Sequence, residues 1–407
     1  MTTPEPRAIL PEQKLQTALF VALALLAVFL PWTLAGMQLA LALALIPTIL
    51  MMARRPSISN FKHPFFFFLA IYAVLRVISA VLGPDPVSSL SSVLHTDWVV
   101  LTIPILICSL LWVDRLEKVL HILLISGAAV SLYAAFQFFF GLDLFRGRGL
   151  TPYGNYFRAA GGFNHYLTFA GNQLLLFGIA LGFLLNEKRR GGRKKIYLAV
   201  MLLLLFSLVA TYARSAWLGI ILMVAVGTLL VNRKLFLYSA AGMLISVILA
   251  AILSPEFQER FISIFDLSQN ENRLTLWRTS FKIIEAHPIW GFGPGNFDEA
   301  FFKYKVPGFY DATGHAHNDY INLAVNSGLL ALLSWLGLWG SWFYFALKTY
   351  WQKELSEFDR KVLAGSILGI TGIMLAAVFQ CYWTDLENNI AWWFTGIMGA
   401  QVILRNQ

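Results

Sequence analysis

His315 and His317 stand one residue apart in HAHNDYINLAVNSG (His315 to Gly328), with Asp311 and Asp319 close on either side. A His-x-His pair among carboxylates is one beginning of a metal site. Against it, nearby sequence supplies no third histidine, and side chains at i and i+2 diverge once the backbone is helical. Two other roles stay open: a histidine that caps a helix by hydrogen bonding, and a general base or substrate hydrogen-bonding group. Imidazole suits the last because its ordinary pKa of about 6.5 leaves much of it unprotonated at neutral pH. With a helix starting near His317, Ile321, Ala324 and Gly328 extend a smooth face below it, and Asn318, Asn322 and Asn326 form an adjacent amide stripe. Such amides pair with one another or line a polar cavity.

Arginines form the second constellation. Arg214 lies in TYARSAWLG, Arg158 in RAAGGFNHYLTFAGN, and Arg273, followed by Arg278, in RLTLWRTSFKIIEAH. A guanidinium fork matches phosphate oxygens, and several could hold a diphosphate without a metal. The plainer alternative is snorkelling to anionic head groups. Asn164 and His165 are candidates to line the same cavity. Tyr153, Tyr156, Tyr310 and Tyr382 read first as interfacial belt residues and second as sugar-stacking platforms. Asp385 and Glu387 are candidate partners for an arginine.

These groups need a scaffold, and composition names its class. Of the 407 residues 58% are hydrophobic and 13% charged, with mean hydropathy +0.65; a soluble domain carries about 25% charged residues. Stretches near the roughly 20 apolar residues of a spanning helix occur about twelve times, at 17–31, 34–52, 64–82, 98–113, 119–140, 163–185, 196–212, 215–231, 235–253, 325–347, 361–380 and 389–404. The fold expected is an all-α integral membrane protein. Its sidedness follows from the positive-inside rule. With the N-terminus in the cytoplasm, 20 of the 31 basic residues fall on the inner face, including the KRRGGRKK run at Lys188–Lys195. The basic balance is thus a topology signal and no nucleic-acid footprint. Arg76 falls inside a span, where a charge is costly, and is expected to have a polar partner. Cys108 and Cys381 have neither metal spacing nor a disulfide pattern. The N-terminal apolar run has no clean cleavage site and reads as a span, not a signal peptide.

Three regions follow: spans one to nine in 1–253, a long periplasmic loop in 254–324, and spans ten to twelve with a cytoplasmic C-terminus in 325–407. A loop that long is expected to be functional. It reads as two helices around a turn. The first is capped by Asn272 and runs to Pro288, with Leu274, Trp277, Phe281 and Ile284 on one apolar face. The second starts near His317. Between them, GFGPGNF (Gly291–Phe297) has no preceding strand, and Pro294 removes a donor, so it reads as a turn and not a nucleotide loop. Polar chemistry against a bilayer calls for a substrate with one lipid end and one water-soluble end.

Taken in order, Arg214 in ARSAWLG, Arg273 and Trp277 in R-x-x-x-W, PIWGFGPGNF, and His317–Asn318 in HAHNDYINLAVNSG resemble the O-antigen ligase family of bacterial membrane glycosyltransferases, which also includes polysaccharide polymerases. One departure is Asn326, where many relatives carry an acidic residue; support for the histidine must then come from elsewhere, with Asp319 as the candidate. The resemblance implies transfer of a glycan from undecaprenyl diphosphate to a sugar hydroxyl of lipid A-core at the periplasmic face of the inner membrane, or in polymerases to another lipid-linked glycan. His317, Arg214 and Arg273 would be catalytic. Arg158, Arg278, His315, Asn318, Asn322 and Asn164 would bind substrate. Because the diphosphate linkage stores the bond energy, neither ATP nor a redox cofactor is expected, and with arginines to hold the diphosphate no metal is expected. A transporter is the competing class, and broken spans and internal repeats would favour it.

Overall fold

The computed structural model describes residues 12–54, 62–188, 191–264, 266, 271–308, 310 and 314–406. Asp311 lies outside the described residues. Its helices are α1 (Glu12–Phe29), α2 (Leu34–Arg54), α3 (Pro64–Leu82), α4 (Pro86–Thr96), α5 (Val99–Trp112), α6 (Leu116–Phe140), α7 (Tyr166–Asn186), α8 (Gly192–Ala210), α9 (Arg214–Val231), α10 (Arg233–Leu253), α11 (Pro255–Ile262), α12 (Glu271–Ala286), α13 (Phe297–Tyr304), α14 (Asp319–Tyr350), α15 (Glu357–Ala376) and α16 (Leu386–Arg405). Two small antiparallel hairpins, β1 (Leu142–Asp143) with β2 (Arg148–Gly149) and β3 (Pro152–Tyr153) with β4 (Tyr156–Phe157), occupy the α6–α7 connection.

The chain is an all-α multi-pass membrane protein. Among the described residues nine stretches are long and apolar enough to cross a membrane: α1, α2, α3, α4–α5 together, α6, α7, α9, α10 and α14. The other three expected spans fall on α8, α15 and α16, which are helices too. α8 and α15 open on charged turns, at Arg193–Lys195 and Glu357–Lys361. Outside those stretches, the long connection holds the expected α12 and also α11 and α13, which were not expected. α12 begins at Glu271, so Asn272 lies within its first turn and does not precede it.

Packing at the centre depends on small residues. α7 is buried along most of its length, and its Gly178 and Gly182 face Gly369 and Gly365 of α15 with no room for a Cβ. In a bilayer, where lipid is as apolar as leucine, this close backbone approach supplies dispersion contacts that hold helices together. Around it, Trp335 and Trp339 of α14 and Trp392 and Trp393 of α16 enclose Trp383, whose Nε1 donates to the Tyr72 hydroxyl at 3.0 Å.

α14 is not continuous. Gly328 has φ 79° and ψ 173°, which breaks the helical path. The 288–293 segment fills the break: Phe292 N donates to Val325 O, Gly293 N to Asn326 O, and Leu329 N to Pro288 O, at 2.7 to 3.0 Å. Non-helical backbone at membrane depth is tolerated where protein satisfies it in this way. Pro288 and the first residues of the GFGPGNF turn thus plug a broken span, a role not legible in the motif itself. Gly291, at φ 71°, lies against the 326–328 backbone where a Cβ would collide. Gly291→Ala is expected to destabilise the protein by about 1–3 kcal/mol, seen as a lower thermal midpoint in detergent. An unchanged midpoint would mean that the plug does not carry the break.

The loops sort to two ends. At one, Lys361 bridges Glu187 at 2.7 Å, and Arg193 and Arg405 pair with Glu117 and Asp359. At the other, the 141–165 connection, the α8–α9 turn, α11–α13 and the 377–385 segment converge.

Candidate functional site

Three cavities lie side by side at that second end. The first, about 270 Å³, is lined by Arg214, Ser215, Leu218, Ile264, Arg273, Leu274, Trp277 and Phe379. Arg214 opens α9, and Arg273 and Trp277 share one face of α12 at i and i+4. Arg214 donates to the Ser263 carbonyl and hydroxyl. Among the described residues, Arg273 has no carboxylate partner, and burial holds its guanidinium below the ordinary arginine range.

Two further guanidiniums stand beside these. Arg158 lies over the rings of Tyr153 and Tyr166, at 5.0 and 4.7 Å, and its buried Nε has no hydrogen-bond partner. Arg260 of α11 also sits over Tyr153 and donates Nε to the Tyr212 carbonyl at 3.1 Å. Burial first, then the charges of Arg214 and Arg158, push Arg260 down to about 10. Crowded like charges with few acids are costly to assemble, and an anionic ligand relieves that cost. Arg260 escaped the sequence reading because no motif surrounds it. Tyr153, read first as a belt residue, packs at a tilt against the Tyr212 ring and forms part of the cation–π platform instead.

The loop that carries Arg158 is held from both sides. Gln137, fully buried in α6, accepts from Ala160 N and Gly161 N and donates to Gly161 O. Asp143 holds Arg146 and Arg148, which donate to the carbonyls of Gly162 and Asn164.

The second cavity, about 390 Å³, is lined by His165, Leu167, Thr168, His315, His317, Gln380, Cys381, Tyr382, Thr384 and Asp385. It abuts the first, since Phe379 of one precedes Gln380 of the other and the Tyr382 and Ser215 hydroxyls bond at 2.9 Å. Trp277 ties α12 to the histidines by donating Nε1 to Ala316 O at 3.0 Å.

α14 starts at Asp319, near His317 as expected, and His317 itself is not helical. Asn318 is the N-cap of α14, its side chain accepting from Ile321 N, so its part is structural. His317 precedes it at φ 49°, and the two imidazoles meet edge to face at 4.3 Å, which helical i,i+2 residues could not do. Among the described residues only His317 and Tyr212 are non-glycine with positive φ, and both border this site. Such conformations persist where surrounding structure enforces them, and they cluster at functional sites.

His317 Nδ1 lies 2.9 Å from Gln380 Oε1. An amide oxygen only accepts, so Nδ1 carries the proton and Nε2 keeps its lone pair. Gln380 therefore does what was expected of Asp319. Asp319 is one step removed: its Oδ2 accepts from Tyr382 N and Trp383 N at 2.7 and 2.9 Å, clasping the segment that carries Gln380. Nothing in AVFQCYW marks Gln380, because its role exists only once α14 and the 377–385 segment pack. His315 accepts the His317 N–H on Nδ1, and burial, then the His317 charge, push it down to about 4, so it is neutral at physiological pH.

Other expected groups lie elsewhere. Arg278 is exposed on α12 and lines none of the three cavities. Asn164 is exposed and engaged through its carbonyl. Asp385 caps α16 and accepts from Thr168 instead of pairing with an arginine. Arg76 has its partners, Asp97 at 2.6 Å and the Ser327 hydroxyl at 2.7 Å. Asn322 lines the third cavity, about 150 Å³, which shares His315 and Thr384 with the second. Among the described residues no three His, Cys, Asp or Glu side chains converge as a metal site would require. Both cysteines are free.

The chain is 24% identical to the O-antigen ligase of Salmonella typhimurium strain LT2 over 75% of its own length and 76% of that protein's. It is 25% identical to the teichuronic acid biosynthesis protein TuaE of Bacillus subtilis strain 168 over 48% of its own length and 42% of that protein's. Residues 199–336, which hold Arg214, Arg273, Trp277 and His317, match the model of the O-antigen ligase family, and that segment of the chain carries the domain of the family its motifs resemble.

Proposed function

We propose that the chain is a membrane glycosyltransferase of O-antigen ligase type, moving a glycan from undecaprenyl diphosphate to a sugar hydroxyl of lipid A-core. The observation that carries this reading is the contact between two cavities, one holding guanidiniums and the other the His317 imidazole, oriented through Nδ1 by Gln380. In this reading the end bearing α11–α13 faces the periplasm, about twelve helices span the inner membrane, and both termini are cytoplasmic. Residues 254–324 form the outer loop between spans in 1–253 and 325–407.

The diphosphate sits among Arg214, Arg273, Arg158 and Arg260, with its lipid tail leaving along the apolar wall of Leu218, Ile264 and Leu274. The acceptor oxygen attacks the anomeric carbon, and His317 Nε2 takes its proton. The anomeric carbon–oxygen bond breaks with its electron pair going to the diphosphate, whose growing charge the guanidiniums stabilise. Direct displacement inverts the anomeric centre. The guanidiniums do the charge work that a metal does in other phosphate sites, so no metal is required.

Similarity to a protein named for teichuronic acid biosynthesis supports a second reading, a polymerase that uses another lipid-linked glycan as acceptor. A transporter gains nothing from the break at Gly328, because the 288–293 backbone fills it. The test is transfer by purified protein given undecaprenyl diphosphate glycan and rough lipopolysaccharide, with and without chelator. The expected result is conjugate in both arms. Lengthened lipid-linked glycan without conjugate selects the polymerase, and neither product from folded protein overturns the reading.

A further inference from the structure

The third cavity is unlike the other two. It lies on the far side of His315 from the arginines, between α3, α4, α14 and the 291–297 turn, and Gly295 and Gly314, both exposed, stand at its mouth. Its volume of about 150 Å³ is room for a few waters at the ~30 Å³ each takes in the liquid, the scale of one sugar ring. Its one guanidinium, Arg76, is already neutralised by Asp97, and no lysine lines it. An anion has no place there. Asn326 and Asp319 line it, and each keeps a side-chain oxygen without a hydrogen-bond partner. Buried acceptors of this kind favour a ligand rich in hydroxyl donors. Trp383 adds an aromatic wall.

We propose that this cavity is the acceptor subsite and takes one neutral sugar ring, with His315 as the partition that presents the ring's hydroxyl to His317. This rests on the glycosyltransferase reading and adds where the acceptor sits and which acceptors are refused. His315 accepts on Nδ1 from His317 N, so its Nε2 carries a proton and can donate to a ring oxygen. The two substrates are sorted by charge: the diphosphate goes to the arginine cavity, and a sugar bearing phosphate or sulfate finds no unpaired guanidinium or lysine lining the third one.

The test fills the cavity at its far wall. Thr96 ends α4, is half-buried, and donates only to the Ser92 carbonyl. Thr96→Leu is expected to raise KM for rough lipopolysaccharide about tenfold, leaving KM for the lipid diphosphate glycan unchanged, the signature of lost ground-state acceptor binding. The unchanged KM for the lipid diphosphate glycan in Thr96→Leu itself guards against misfolding. Independently of turnover, saturation-transfer NMR in detergent should detect methyl hexopyranosides on the wild type, weaken in Thr96→Leu, and show no signal for a sulfated hexoside. Unchanged acceptor KM and sugar signals in Thr96→Leu overturn the subsite, as does an equal loss of donor affinity. A wild type that binds the sugar yet transfers nothing leaves the subsite standing and removes the glycosyltransferase reading.

Discussion

Replacing His317 by alanine is expected to lower the rate of glycan transfer about 10²–10⁴-fold, the usual worth of a positioned base, with the donor still bound. Alanine adopts positive φ poorly, and His317 sits at φ 49°, so His317→Asn is the better-folded companion, since asparagine tolerates that region. Both should lose activity alike, whereas a purely structural histidine would be rescued by asparagine. Gln380 separates positioning from packing. Gln380→Leu removes the acceptor for Nδ1–H, and kcat should fall with KM for both substrates little changed. Gln380→Glu places a carboxylate oxygen where the amide oxygen now lies 2.9 Å from that nitrogen. A nearby negative charge favours imidazolium, so the pKa of His317 rises and the acid limb of the pH–rate profile moves to higher pH. Wild-type rates in both His317 variants would remove the base from the mechanism.

How far the sequence reaches here depends on whether a feature is local. Every expected span is a helix, because apolar length and composition are properties of a continuous segment. Arg214, Arg273 and His317 could be singled out since each lies in a distinctive run, and the fold gathers them. The backbone of the site was harder. α14 looks continuous through Ser327 and Gly328, and only the docking of 288–293 from the preceding loop shows why it breaks. Arg260 and Gln380 gain their roles through partners 48 and 63 residues away, and no spacing rule reaches that far. Arg278 misled for the opposite reason: it follows Arg273 closely in sequence, yet five residues along a helix turn it away from the face that carries Arg273 and Trp277.

The second large effect is expected at Arg273, where alanine should reduce kcat about 10²–10³-fold, as the loss of one donor to a developing anion does. Arg273 is the stronger choice over Arg158 and Arg260 because it lines the cavity itself and, among the described residues, has no hydrogen bond that would hold it elsewhere. Lysine in its place keeps the charge but loses the planar fork. Arg273→Lys should therefore recover donor affinity better than it recovers kcat. Arg214 serves the same anion from α9, so the double alanine variant should lose less than the product of the single losses. Arg278→Ala is the internal control: it removes the same charge from the same helix at an exposed position, and long-range charge alone is screened there within about 10 Å at ordinary salt. Equal losses in Arg273→Ala and Arg278→Ala would mean that α12 acts through its overall positive field, and the diphosphate would then lie outside the cavity that Arg214 and Arg273 share.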